Sequence, residues 1–389
     1  MDRFQPGKAM TTSILSLSLL TVMAGAAVAP ALGVIRAYFS DSSPILIQMV
    51  ISIPAIFIVL TNACFPAMCG RFRARSLVLI GLFLYTIGGC AAGAFSNIWL
   101  VLLMRALVGI GVGIIMPLST GLLSFYYPPE RLDGLMGLSS AMNQMGGVVA
   151  TLLAGLLANL SWRASFLVYL MGLISIVLCL VFLPNDSIAP SVGERKKGNF
   201  WVYFRYVLAM FLLMSSFFLY PANFALETTA EGFIPQQLIA VIMAMMDFVA
   251  FLGGLLFVRC KILLGGKMRL LAPSLFLAGY LLLALVGGWP GTVIGSACVG
   301  FANGVGIPFL ISQASVRAGR SAATTVIPLL SAALYLAQFL SPVLMGIASA
   351  AIGDTVPHLP YCFAVVISAL FLLCSAGIPS DSAYNAPVD

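Results

Sequence analysis

Two ionisable side chains stand where hydrocarbon should be. Arg105 interrupts "LVLLMRALVGIGVGIIMP" at 100–117, and Asp247 interrupts "VIMAMMDFVAFLGGLLF" at 241–257. A charge at the middle of a membrane helix costs on the order of 3 kcal/mol on insertion scales, so such residues usually mark a pathway, a relay or a buried partner. Asp247 lies twelve residues before Arg259, about 18 Å at 1.5 Å per residue. Desolvation there disfavours the charged carboxylate, which lets the group load and release a proton. The other reading is a neutral acid bonded to a nearby backbone carbonyl. Arg105 is about 12 Å from Asn97. Gly109 and Gly113 follow it on the same helical face, and glycines at that spacing let another helix approach closely. Arg105 therefore faces protein or a water-filled cavity, either as a proton-coupling group or as a structural hydrogen-bond donor.

Weaker candidates are polar side chains on otherwise apolar stretches. Asn143, Gln144, Asn303 and Gln338 serve either as substrate contacts or as interhelical hydrogen bonds. Asn143 shares a stripe with Gly146 and Ala150, which favours packing. Arg36 has three readings: an end residue reaching for the interface, a partner for Asp41, or an outer gate for anions. The 18 Met and 26 Phe face lipid or core, a minority being available to a greasy, adaptable pocket.

The elements that carry these groups follow from composition. The chain is 61% hydrophobic and 8% charged, with a mean hydropathy of +1.09. Soluble domains are closer to half apolar and a quarter charged, so the solvent of this chain is mainly lipid. About twenty apolar residues cross a bilayer. On that ruler twelve spans are expected, at about 11–37, 45–69, 76–95, 98–124, 134–159, 162–183, 201–222, 236–258, 270–289, 291–315, 323–351 and 360–378. Arg3, Lys8 and Ala27-Val28-Ala29 have the outline of a secretory leader. The apolar run continues through Pro30 to Phe39, so it is read as a retained first helix.

The expected fold is all-α: a six-helix bundle over 1–185, a cytoplasmic linker over 186–200 and a second six-helix bundle over 201–389. With both termini cytoplasmic, sixteen of the nineteen basic residues fall in inner intervals, and only Arg36, Arg105 and Arg163 lie within or beside spans near the outer side. The net charge of +7 is thereby explained by membrane topology rather than nucleic acid. A short repeat supports two halves. "GIGVGIIMP" at 109–117 and "GFANGVGIP" at 300–308 share Gly, Gly and Pro at a constant offset of 191, on the fourth and tenth spans.

Arg105-x3-Gly109-x-Gly111-x-Gly113 resembles the fourth-helix signature of the major facilitator superfamily, whose arginine is implicated in proton coupling; Val108 stands where the family has glutamine. Gly137, Gly146, Ala150-Thr151 and Ala154-Gly155 resemble the family's antiporter motif on the next helix, with Ala-Thr replacing Gly-Pro. Small residues there imply close packing without a proline-linked bend. "PAMCGRFRARSLVLIG" at 66–81 is similar to the family's loop after the second span. Arg71 and Arg75 match, while Gly70 replaces an acid and removes an inter-helix charge pair. "SWRASF" at 161–166 resembles the start of the sixth helix.

The resemblance implies a monomeric secondary transporter of the cell (inner) membrane. Its bundles would rock about a central site to move a small, lipophilic molecule by proton antiport, with Asp247 exchanging the proton and Arg105 responding to occupancy. An importer, a uniporter and a lysolipid flippase are the alternatives. A membrane enzyme is disfavoured because the one histidine, His358, has no expected cluster of acids or nucleophiles. For the same reason, and because the eight cysteines are scattered, neither a metal nor a cofactor is expected. No GxxxxGK[ST] loop is present, and "GIGVG" lies in a span rather than after a strand.

Overall fold

The computed structural model describes residues 7–127, 129–186, 200–286, 288–318, 322–352 and 356–378. Among them every regular element is helical. In chain order these are α1 (Lys8–Ala26), α2 (Leu32–Tyr38), α3 (Pro44–Cys69), α4 (Ala74–Ala92), α5 (Ile98–Tyr126), α6 (Pro129–Ala158) and α7 (Trp162–Ser165). They continue with α8 (Met171–Phe182), α9 (Phe200–Glu231), α10 (Gln236–Leu264), α11 (Met268–Leu285), α12 (Trp289–Ala318), α13 (Ala322–Ile352) and α14 (Leu359–Ala376). Eleven helical stretches among the described residues are long and apolar enough to cross a membrane. One of them, Gln236–Leu285, is 50 residues long. A 3₁₀ turn at Gly265–Lys267 divides that stretch, and Gly265 has φ +49°, a left-handed conformation that glycine adopts without a Cβ penalty. The 50 residues are therefore two spans, and the expected twelve are accounted for.

Two spans are less regular than expected. The first is broken, with α1 giving way to a 3₁₀ turn at Ala29–Ala31 and then α2. Pro30 has no N–H to continue the helix. The sixth begins at α7, where the Ser161 hydroxyl caps the Ala164 amide at 3.1 Å. It then passes through 3₁₀ turns at Phe166–Leu170 before α8.

The chain forms two compact units, residues 1–192 with 228–244, and residues 193–227 with 245–389. Residues 228–244, expected in the second bundle, thus group with the first unit. Residues 187–199 of the expected linker lie outside the described residues. In the first unit α5 packs on both α3 and α4, while α1 packs on α5, α6 and α8. In the second, α11 packs on α12 and α14.

The glycine repeat is used alike in both. A Cβ on Gly109 would meet the Pro54 carbonyl and one on Gly113 would meet Thr61, so these two let α5 close on α3. A Cβ on Gly300 would meet the Met246 carbonyl and one on Gly304 that of Ala250, so their counterparts let α12 close on α10. Gly111 faces another way, with Gly81 and Tyr85 of α4 against it.

Candidate functional site

Arg105 is fully buried, and of the two surroundings expected for it the structure gives protein. Its Nε donates to the Val50 carbonyl at 2.7 Å. One terminal nitrogen donates to the Ala24 carbonyl and the other to the Tyr169 hydroxyl. The Tyr169 hydroxyl itself donates to Ala24 at 2.7 Å, and the guanidinium carbon stands 5.5 Å from the centre of the Tyr169 ring. No acid neutralises this charge among the described residues; carbonyl dipoles and a phenol do.

Both carbonyls are available for a reason that lies in the sequence. Residue 54, four beyond Val50, is proline and has no N–H to offer. Ala24 precedes the break in the first span, where the Val28 amide turns to Gly25 at 3.2 Å instead. In hydrocarbon such freed groups must be met by neighbouring elements. Arg105 meets both, joining α1, α3, α5 and the sixth span.

In the second unit Asp247 is half-buried in the middle of α10. The helices α10 and α12 run in the same sense, since Met246 lies beside Gly300 and Ala250 beside Gly304. With about 100° between successive residues, Asp247, Asn303 and Ser296 flank that seam on one side. From α9 the buried Tyr220 hydroxyl donates to Ser296 Oγ at 2.7 Å, on the same flank of the seam as Asp247. Ser296 in turn donates to the Thr292 carbonyl at 2.7 Å. Asn303 is only 7% exposed, and its Oδ1 accepts no hydrogen bond. Ser296 stands 191 residues after Arg105, so the second unit has a neutral hydroxyl where the first has its cation.

Residues 14–342 match the family model described as the Major Facilitator Superfamily. The chain belongs to the Major Facilitator Superfamily. It is a multi-pass integral membrane protein of that superfamily. Its fold is similar to that of the nucleoside transporter NupG, with TM-score 0.73 and 13% identity over 95% of this chain and 98% of that one. A D-xylose-proton symporter gives TM-score 0.70 at 14% identity, covering 96% and 99%. In sequence it is similar to the multidrug resistance protein B homolog of Mycobacterium tuberculosis, 32% identical over 123 residues. That match takes in 31% of this chain and 23% of the relative, so less than a quarter of the relative's length is spanned.

The remaining candidates of this superfamily member are dispersed. In the first unit Asn143 accepts a hydrogen bond from Thr21 at 2.6 Å, tying α6 to α1, and Gln144 beside it is half-buried. A Cβ on Gly146 would meet the Leu19 carbonyl, and one on Gly155 would meet Ala240. Gly137 lies in α6, which runs unbroken as the missing proline implies. Arg36 is half-buried in the last turn of α2 and makes no ion pair with Asp41. Gln338 is buried on α13 of the second unit.

Two findings escaped sequence reasoning. His358, expected to stand apart, has Nδ1 3.5 Å from Glu227 Oε2, because the end of α9 meets the start of α14 across 131 residues of chain. Near the loop where Gly70 stands in place of an acid, Asp186 ties two segments together by neutral hydrogen-bond partners. The carbonyl of Asp186 accepts from the Ala74 amide at 2.9 Å, and its carboxylate accepts from Tyr126 at 2.8 Å. Arg75 donates to the Leu180 carbonyl, whereas Arg71 is exposed. Burial, reinforced by Asp186, holds the Tyr126 phenol above its ordinary range.

Proposed function

We propose that this transporter exports a small, lipophilic molecule in exchange for protons, alternating between inward- and outward-open states. Asp247 is the group that gives up and regains the proton. The observation that carries this reading is its place: a half-buried carboxyl in the middle of α10, beside the Tyr220–Ser296 hydrogen bond. The name of the mycobacterial relative, a multidrug resistance protein B homolog, supports export. Arg105 contributes by position, holding the first unit's helices in register through two freed carbonyls.

In this reading the protein is a monomer in the cell membrane. It has six spans on either side of a linker near 186–200, and both termini are cytoplasmic. Arg36, Asn143 and Gln144 in the first unit, and separately Asn303 and Gln338 in the second, are the polar side chains it offers to a substrate, and Gly109, Gly111, Gly113, Gly137, Gly146 and Gly155 with Arg71 and Arg75 serve its packing and conformational change.

Proteoliposomes test the coupling. Ethidium, a permanently charged dye, is added under an imposed pH gradient, and an entrapped pH indicator reads proton movement. Asp247→Asn abolishes substrate-dependent proton flux while the protein still elutes as a folded species. Undiminished flux in that variant removes Asp247 from the mechanism.

A further inference from the structure

The face around Asp247 has a chemical bias that limits what it can hold. Three of its groups carry hydrogen-bonding atoms from two helices: the Asp247 carboxyl on α10, and Asn303 and Ser296 on α12. Because Met246 is level with Gly300 and Ala250 with Gly304, Asn303 lies about 3 Å further along the helix axes than Asp247. The hydroxyl protons nearby are committed. That of Tyr220 goes to Ser296, and that of Ser296 goes to the Thr292 carbonyl.

What Asn303 offers is acceptor capacity. Asn303 Oδ1 is buried with no donor, and such a group costs roughly 1–3 kcal/mol unless a partner arrives. An apolar ligand leaves that cost in place; a ligand that brings a donor removes it.

Charge points the same way. Lys and Arg are absent from 206–258, from 270–316 and from 321–389; Arg205, Arg259 and Lys261 lie at the ends of α9 and α10, and no Lys or Arg lies at the middle of a second-unit span to balance an organic anion near Asp247. Where the first unit has Arg105, the second has Ser296. The first unit's arginine is spent on Ala24, Val50 and Tyr169.

We propose that this face binds a protonated amine, with Asp247 as its counter-charge and Asn303 Oδ1 accepting one of its N–H groups. The inference rests on Asp247 being a transport residue and adds the charge and donor character of the cargo. An ammonium has three donors and no acceptor, which matches the unfilled Asn303 acceptor beside a carboxyl of opposite charge. A carboxylate of the same size has the opposite character at both points.

The test is binding to the purified full-length chain in detergent at fixed pH. The probes are 4-phenylbutylammonium, its N,N,N-trimethyl analogue and 5-phenylpentanoate. The primary ammonium binds wild type best. The trimethyl analogue, which keeps the charge and loses the donors, binds about tenfold more weakly, the scale of one charge-assisted hydrogen bond. Asp247→Asn weakens both cations by at least tenfold. Asn303→Leu weakens only the primary ammonium, and Asn303→Asp, which adds an acceptor charge, strengthens it should the leucine variant fail to fold.

The proposal is overturned if wild type binds none of the cations, if it prefers 5-phenylpentanoate, or if both cations bind the two single variants as they bind wild type. Because no gradient is present, this outcome is separable from that of the flux assay. Amine binding that depends on Asp247 without proton movement sinks the coupling and leaves the cargo class standing. Proton flux driven by 5-phenylpentanoate does the reverse.

Discussion

At the level of single residues, Arg105 shows how far a sequence reading reaches. That a guanidinium lay at membrane depth was plain from residue types alone. That it would bind backbone was hidden, because its acceptors lie 55 and 81 residues away. A signal was nonetheless present for one of them: Pro54 announces the Val50 carbonyl as a backbone group in need of a donor, whereas the Ala24 carbonyl is freed by the turn of the Val28 amide to Gly25. Arg105→Ala leaves the Val50 carbonyl and the Tyr169 hydroxyl oxygen without a donor, leaves the Ala24 carbonyl with Tyr169 alone, and lowers stability by about 2–5 kcal/mol; Arg105→Lys, with fewer and differently aimed donors, recovers part of this. Pro54→Ala supplies an N–H to Val50 and recovers about 1 kcal/mol in the Arg105→Ala background. Melting temperatures of the single and double variants measure that coupling. Strict additivity would show that the proline-freed carbonyl is not what Arg105 serves. Tyr126 belongs at this scale too. With its phenol raised from 10.0, the neutral donor form is present throughout the neutral range and is lost only as pH rises beyond it. The cost of Tyr126→Phe, about 1 kcal/mol, is accordingly the same at pH 6 and pH 8 in thermal melts.

Among the helices, hydropathy identified the spans because lipid demands a long apolar run whatever the tertiary partners are. Their internal irregularities were less visible. The break at Ala29–Ala31 was read as continuous helix since hydropathy does not register a missing N–H. The offset-191 glycines were legible, and their structural task now has a named partner in each unit. Gly109→Ala and Gly300→Ala place a methyl against the Pro54 and Met246 carbonyls respectively. Each is expected to cost about 1–3 kcal/mol by overpacking, with similar melting-temperature losses for the two variants. Gly121, whose Cβ would meet nothing within 4 Å, provides the control; an equal loss in Gly121→Ala would attribute the effect to helix chemistry in general rather than to close approach.

For the molecule as a whole, the proposed orientation rests on the distribution of basic residues, and the proposed chemistry rests on the face around Asp247. A green fluorescent protein fused after residue 389 fluoresces if the C-terminus is cytoplasmic, whereas alkaline phosphatase at the same place is inactive; the opposite pair of results reverses the topology. Repeat and charge in the sequence imply two halves, and the two compact units of the structure have other bounds, with residues 228–244 in the first. The sequence could not expose the Asp186 tie to Ala74 and Tyr126 or the Glu227–His358 pair. Each joins segments that are distant along the chain, and neither has a local pattern that requires it.

The broken first span also sets an order of biosynthesis. Val50 and Ala24 leave the ribosome long before Arg105 and Tyr169 do, so the earliest helices enter the bilayer with acceptors that nothing yet made can satisfy. A nascent chain ending before Ile98 therefore lacks every side-chain donor that meets these carbonyls in the finished unit, and the set is complete only once the fourth and sixth spans are made.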